Sequence, residues 1–194
     1  MSHETATEPL RFETFEAYLN WEEQQPERYE LHDGYVVLMA GASEDHNRIA
    51  DTVSFLLRSH FGLRSRCAVF RADMKLRVGE LKNRYPDVFV VCSDGLPQNR
   101  RFYDDARIVV EVISPDYASK DLVVAPIEYV RLKRLEQYVV IDSRTRAAWS
   151  HLRQDDGRFV LVPTENGRIE IPCENLNLSF DDLYAGTTLD AGPT

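Results

Sequence analysis

Apolar and polar residues follow two periods along this chain, and each period predicts a different kind of element. Phe15, Tyr18 and Leu19 recur at three-to-four spacing behind Thr14, which is placed to cap a short helix ending before Pro26. From Tyr29 to Met39 the chain reads YELHDGYVVLM, two extended runs around Asp33-Gly34, and predicts a β-hairpin. Ile49, Val53, Leu56, Leu57 and Phe61 then fall on one helical face, with Ser43, Glu44 and Asp45 as start signals, and predict the first long helix over 46–61. Three β-branched-rich segments, 67–78, 85–92 and 106–114, predict three strands divided by polar loops.

The stretch 121–134 carries apolar residues among charges and is read as a helix despite Pro126, and YVVIDS at 138–143 is a fourth core strand. AAWSHLR, GRFVLVP and GRIEIP predict a β meander turning at Gly157 and Gly167. A final helical turn starts at Ser179, with Asp181 and Asp182 where the helix dipole favours negative charge. The core order is helix, strand, strand, strand, helix, strand. A mixed β-sheet flanked by helices, of the α/β (α+β) class, is expected, with an N-terminal helix and hairpin and a C-terminal meander. Residues 1–11 are expected to be a flexible tail, 12–186 a single domain and 187–194 a C-terminal tail.

Composition narrows the class. The chain has 194 residues, 43% of them hydrophobic, enough to bury a core without a disulfide or structural metal. Cys67, Cys92 and Cys173 are far apart, odd in number and form no CxxC pair, so they are expected to be reduced core residues in a cytoplasmic protein. No apolar run approaches the roughly 18 residues of a membrane span, so no membrane partner is expected. Against 23 Lys+Arg stand 32 Asp+Glu, a formal net charge of −9. That balance argues against broad binding to phosphate backbones, which draws on Lys and Arg, but leaves room for an enzyme whose carboxylates hold metal ions.

Three carboxylates stand out from the solvated ones. Asp87 lies between Pro86 and the apolar run VFVVC, Glu111 is embedded in IVVEVIS, and Glu30 sits between Tyr29 and Leu31. A carboxylate inside an apolar strand costs several kcal/mol unless it is paired, hydrogen-bonded or bound to metal. For Glu111 a structural ion pair and a functional site are both open, as for Asp87 is an ordinary Pro-Asp turn. If the strands at 85–92 and 106–114 are neighbours, Asp87 and Glu111 converge at one edge of the sheet, where hard cations such as Mg²⁺ take oxygen ligands.

The series YELHDG (29–34), His46, YPD (85–87), VVEVIS (109–114), Asp121, Tyr129 and LEQYVVID (135–142) resembles the Uma2 family of restriction-endonuclease-like proteins in the PD-(D/E)XK nuclease superfamily. The resemblance covers roughly residues 12–186 and implies the restriction-endonuclease-like αβββαβ core, in the order read above. It implies a metal-dependent endonuclease hydrolysing phosphodiester bonds in DNA. Asp87 matches the Asp of the PD motif and Glu111 the acidic residue of the second half-motif. Asp87, Glu111 and the backbone carbonyl of Val112 would hold Mg²⁺ or Mn²⁺, Glu30 would complete that site or orient a water, and His46 would hydrogen-bond a carboxylate or the phosphate.

The chain departs from the family at its cation. The family carries a lysine four residues after the Asp that matches Asp121, and here that position is Ala125. Lys120, Lys75, Arg77 and Lys133 are the candidate replacements, each also readable as a solvated surface charge. Two other readings stay open: a nuclease-fold protein without catalysis that acts as a nucleic-acid-binding or regulatory partner, and a small phosphodiester hydrolase on the same metal site. The missing lysine favours the first, and the retained carboxylates argue against it. Cutting two strands is commonly solved by symmetry, so a homodimer is expected.

Overall fold

Thr14 starts α1 (Phe15–Glu22) by accepting a hydrogen bond from the Ala17 N–H at 3.2 Å, and the predicted stripe of Phe15, Tyr18 and Leu19 is buried. In the computed structural model the described residues are 10–39, 41–63, 65–95, 99–113, 118–164 and 167–190, with side chains from Val124 onward in the helix that begins at Ala118. Strands β1 (Tyr29–His32) and β2 (Tyr35–Leu38) form the expected hairpin. Asp33 and Gly34 take φ of 52° and 91°, the paired left-handed conformation that a two-residue turn requires. The long helix α2 (Glu44–Phe61) is capped by Ser43, whose hydroxyl accepts from the His46 N–H at 3.2 Å.

The central sheet has six strands in the order β11-β10-β9-β8-β6-β3. They are β3 (Cys67–Arg71), β6 (Val88–Cys92), β8 (Ile108–Ile113), β9 (Gln137–Asp142), β10 (Ala147–Arg153) and β11 (Phe159–Pro163). Only β8 and β9 run parallel, joined through α3 (Ala118–Tyr129), as a parallel crossover requires. With α2 in front, these elements realise the predicted αβββαβ order. Every residue of β6 is buried, and alternation sends Val88 and Val90 to the α2 side and Phe89 and Val91 to the α3 side.

The stretch 67–78 is not one strand. The chain turns at Ala72-Asp73, the Met74 N–H donating to the Arg71 carbonyl at 2.9 Å, and β4 (Lys75–Gly79) leaves the central sheet. It joins β5 (Lys82–Arg84), β7 (Phe102–Tyr103) and the hairpin in a second sheet ordered β2-β1-β5-β4-β7. Cys67 and Val69 fill the α2 core while Leu76 and Val78 fill the α3 core, a division of burial between two layers that local alternation does not reveal.

Three further expectations are corrected. Helix α3 stops at Tyr129 instead of 134, where Leu132 N–H donates back to the Tyr129 carbonyl in a tighter turn. The meander is interrupted: β10 and β11 extend the central sheet, but β12 (Arg168–Ile171) pairs with β13 (Leu176–Ser179), a strand the sequence pattern did not disclose. Asn175, left-handed at φ 50°, reverses the chain between them so that Ile169, Ile171 and Leu178 pack under α2. Cys67 and Cys92 are not reduced. They stand directly opposite in the β3–β6 register, Cα atoms 4.0 Å apart, and form a disulfide, while Cys173 is a free thiol. Their 25-residue separation carries no hint of that pairing, because antiparallel register alone brings them together.

The predicted last turn is α4 (Phe180–Leu183), capped by Ser179, and beyond it the Thr188 N–H donates to Asp45 at the start of α2. Among the described residues, no helix is long and apolar enough to cross a membrane.

Candidate active site

Asp87 enters β6 behind Pro86, and Glu111 sits mid-strand in β8, its antiparallel neighbour, with Val88 opposite Val110. The two carboxylates therefore meet across the strands, and each is held by the other strand's backbone. The Asp87 N–H donates to Glu111 Oε2 at 3.1 Å, and the Val112 N–H donates to Asp87 Oδ2 at 2.7 Å. Such bonds to the ionised form offset part of the desolvation that burial imposes.

His46, in the first turn of α2, places Nε2 3.1 Å from Asp87 Oδ2. Burial alone would lower its pKa, but the hydrogen bond to Asp87 and the charge of that carboxylate outweigh it, and the imidazole is shifted upward. Its Nδ1 is buried without a hydrogen-bond partner among the described residues. From α3, the Tyr129 hydroxyl donates to Glu111 Oε1 at 2.5 Å.

Glu30 lines the same cleft but is fully engaged by protein. Its Oε1 accepts from the Tyr85 N–H at 3.1 Å, and its Oε2 lies 3.1 Å from the Arg84 guanidinium and 2.8 Å from His32 Nε2. Burial would raise its pKa, yet the His32 hydrogen bond and the Arg84 charge prevail and lower it. Arg84 reaches on to Glu128 of α3 at 2.8 Å, and Lys82 links Glu128 to Asp33 at 3.1 Å each. Glu30 thus belongs to an ion-pair chain rather than to the Asp87–Glu111 pair.

A cleft of about 240 Å³ is lined by His46, Glu30, Arg84, Asp87, Glu111 and Val112. Among the described residues no set of three or more His, Cys, Asp and Glu has metal-binding geometry. The donor set that remains, two carboxylates each bonded to the backbone of the other's strand, matches what Mg²⁺ asks of a protein: one or two carboxylates, the rest of its shell being water and substrate phosphate.

Three of the four expected cations are elsewhere. Lys75 is buried against Glu22 at 2.8 Å, Arg77 lies over the Phe15 ring, and Lys133 lines a separate basic cavity with Arg66 and Arg107. The side chain of Lys120, like that of Asp121, lies outside the described residues. Ala125 does not face the cleft; it is 1% exposed in the α3 core. Among the described residues, the arginines and lysines that line the cleft are Arg84 and Arg71, the latter paired with Asp51. Sequence reasoning missed both. Arg84, three residues before Asp87 on the way into the same motif, could have been suspected; Arg71 is brought in only by the β3–β6 pairing.

A family model, Uma2, described as "Putative restriction endonuclease", matches residues 15–183. The chain is 30% identical over 163 residues to uncharacterized protein sll1609 of Synechocystis sp., covering 79% of this chain and 89% of that one. It is 28% identical over 173 residues to slr1290 of the same organism, covering 88% and 90%. A crystal structure titled as that of "a putative nuclease belonging to DUF820", from Anabaena variabilis, superposes with a TM-score of 0.69 at 15% identity, covering 86% of this chain and 96% of that one. That likeness establishes a shared fold.

Proposed function

The chain belongs to the Uma2 family, and from that premise we propose that it is a metal-dependent endonuclease hydrolysing phosphodiester bonds in DNA. The observation that carries the reading is the Asp87–Glu111 pair, two carboxylates locked to each other's strands in a cleft lined by two arginines. Asp87, Glu111 and the Val112 carbonyl would hold Mg²⁺ or Mn²⁺, which supplies Lewis-acid polarisation of the phosphate and acidifies the attacking water.

The chain's own groups do the rest. His46 holds Asp87 Oδ2 and Tyr129 holds Glu111 Oε1, so neither carboxylate has to reorganise when substrate arrives. Arg84, which lines the cleft, would serve in place of the missing family lysine. Fixed by Glu30 and Glu128, its guanidinium offers a preorganised positive charge to the extra negative charge of the transition state.

The test is a Mn²⁺ and Mg²⁺ titration at low salt of cleavage of supercoiled plasmid and of circular single-stranded DNA, by the wild type, Asp87→Asn and Glu111→Gln. Metal-dependent cleavage by the wild type, lost in both variants with their folds intact by circular dichroism, is expected. A wild type that binds the metal and cuts neither DNA would refute the reading and leave a binding protein on a nuclease fold.

A further inference from the structure

The cleft has two unlike walls. Asp87, Glu111 and Arg84 form the polar one. Beside them is a lip made by β2 and the residue after it, where Val37 is 40% exposed and Leu38 53% exposed, continuing into half-buried Met39. All three line the same cavity as the carboxylates. The two walls are adjacent because Val37 is the cross-strand partner of Glu30, which holds Arg84, so the Val37 and Glu30 side chains share one face of the hairpin. β2 is also the outermost strand of its sheet.

We propose that this apolar lip receives an unpaired nucleobase beside the scissile phosphate, so that the site acts on single-stranded DNA in preference to an intact duplex. The proposal rests on the nuclease reading above and specifies its substrate. A duplex presents a charged sugar–phosphate rail to its surroundings, and pressing that rail onto Val37 and Leu38 would strip water from phosphates without a polar partner in return. An unpaired base presents a ring face, which packs on apolar side chains such as Leu and Met whatever the identity of the base.

Charge weighs more against a duplex than against a single strand, because each phosphate contact on a single strand draws less on counterion release. Duplex affinity comes largely from Lys and Arg that displace counterions along the rail. This chain has a net charge of −9, and the arginines in its cleft are already paired, Arg71 with Asp51 and Arg84 with Glu30 and Glu128. Binding must then draw on contacts other than the rail, and the lip is the apolar surface available beside the carboxylates.

The experiment compares the wild type with the Val37→Ser/Leu38→Ser double variant. Both positions are exposed, and a thermal melt confirms that the variant is folded. Fluorescence anisotropy measures binding of a fluorescein-labelled single strand and of the same sequence as a duplex, with Ca²⁺ in place of Mg²⁺ to prevent turnover. The wild type is expected to bind the single strand about tenfold tighter than the duplex, and the variant to lose about tenfold of the single-strand affinity, the contribution of one stacked base. Duplex bound as tightly as the single strand, binding to neither, or single-strand affinity untouched by the substitutions overturns the proposal. If the expected pattern holds but Mn²⁺ brings no cleavage, the base site stands and the nuclease reading falls instead.

Discussion

Tyr129 donates its hydroxyl hydrogen to Glu111 Oε1 at 2.5 Å, tying the last turn of α3 to the middle of β8. Burial, and after it the charge of Glu111, raises the Tyr129 pKa well above its ordinary value, so the phenol remains a donor throughout the neutral range. The neighbouring Glu128 holds Arg84, so one helix end positions both a carboxylate and a cation of the cleft. The geometry of the site thereby depends on the seating of α3.

Tyr129→Phe keeps the ring against Tyr138, centroids 5.0 Å apart, and removes only the donor. Stability should fall by about 1–2 kcal/mol. With Glu111 no longer oriented, Mn²⁺ affinity measured by calorimetry should weaken roughly 10–100-fold. An unchanged affinity would show that the backbone bonds alone hold Glu111.

Arg84→Lys retains a positive charge but not the planar fork that spans Glu30 and Glu128. Cleavage should drop about 100-fold while metal binding stays near the wild-type value. Loss of both together would mean that Arg84 supports the fold of the cleft and not the reaction.

Ala125→Lys restores the family's residue type in the wrong surroundings. The position is 1% exposed among Leu76, Phe89 and Val109. A lysine there should destabilise the fold by about 3 kcal/mol or more and lower Tm by roughly 6–12 °C, without raising cleavage. A gain in cleavage at unchanged Tm would place residue 125 at the cleft after all.

Glu30 sets part of the acid limb of stability. Its folded pKa lies below the ordinary carboxylate value, so its contribution is present above about pH 4.3, the unfolded value, and is lost as pH falls through the depressed folded value. Glu30→Gln should cost about 1–3 kcal/mol near neutral pH. In denaturant melts the gap between wild type and variant should close as pH is lowered, and a gap that stayed constant would contradict the assignment.

The Cys67–Cys92 disulfide closes a 25-residue loop between the strand carrying Arg71 and the strand that follows Asp87. Reduction should remove about 3–4 kcal/mol of stability on the chain-entropy account. Alkylation of the unfolded, unreduced protein should label Cys173 alone; labelling at all three cysteines would show the thiols to be reduced in the isolated protein.

Much of the fold was legible because local rules and tertiary demands agree. Thr14 and Ser43 cap where they were expected to, Asp33-Gly34 turns the hairpin, and helix and strand periods mark the αβββαβ order. Asp87 and Glu111 were visible as candidates for the same reason: a carboxylate in an apolar strand conflicts with its neighbours, and the conflict shows in sequence. The split of 67–78 between two sheets was hidden because both halves are equally extended and apolar. Position 125 shows the limit of motif matching, since spacing along α3 says which residue aligns with a lysine and nothing of which side of the helix meets the core.

What the sequence alone determined is which elements form and which carboxylates are out of place, both properties of a residue and its near neighbours. Only the tertiary structure decided what those carboxylates meet. Register between β6 and β8 locks Asp87 to Glu111, packing of the hairpin engages Glu30 with Arg84, and opposition of β3 and β6 joins Cys67 to Cys92. These outcomes depend on contacts between residues distant in the chain, and burial there is settled by the layers on either side of the sheet, which no local pattern of residues records.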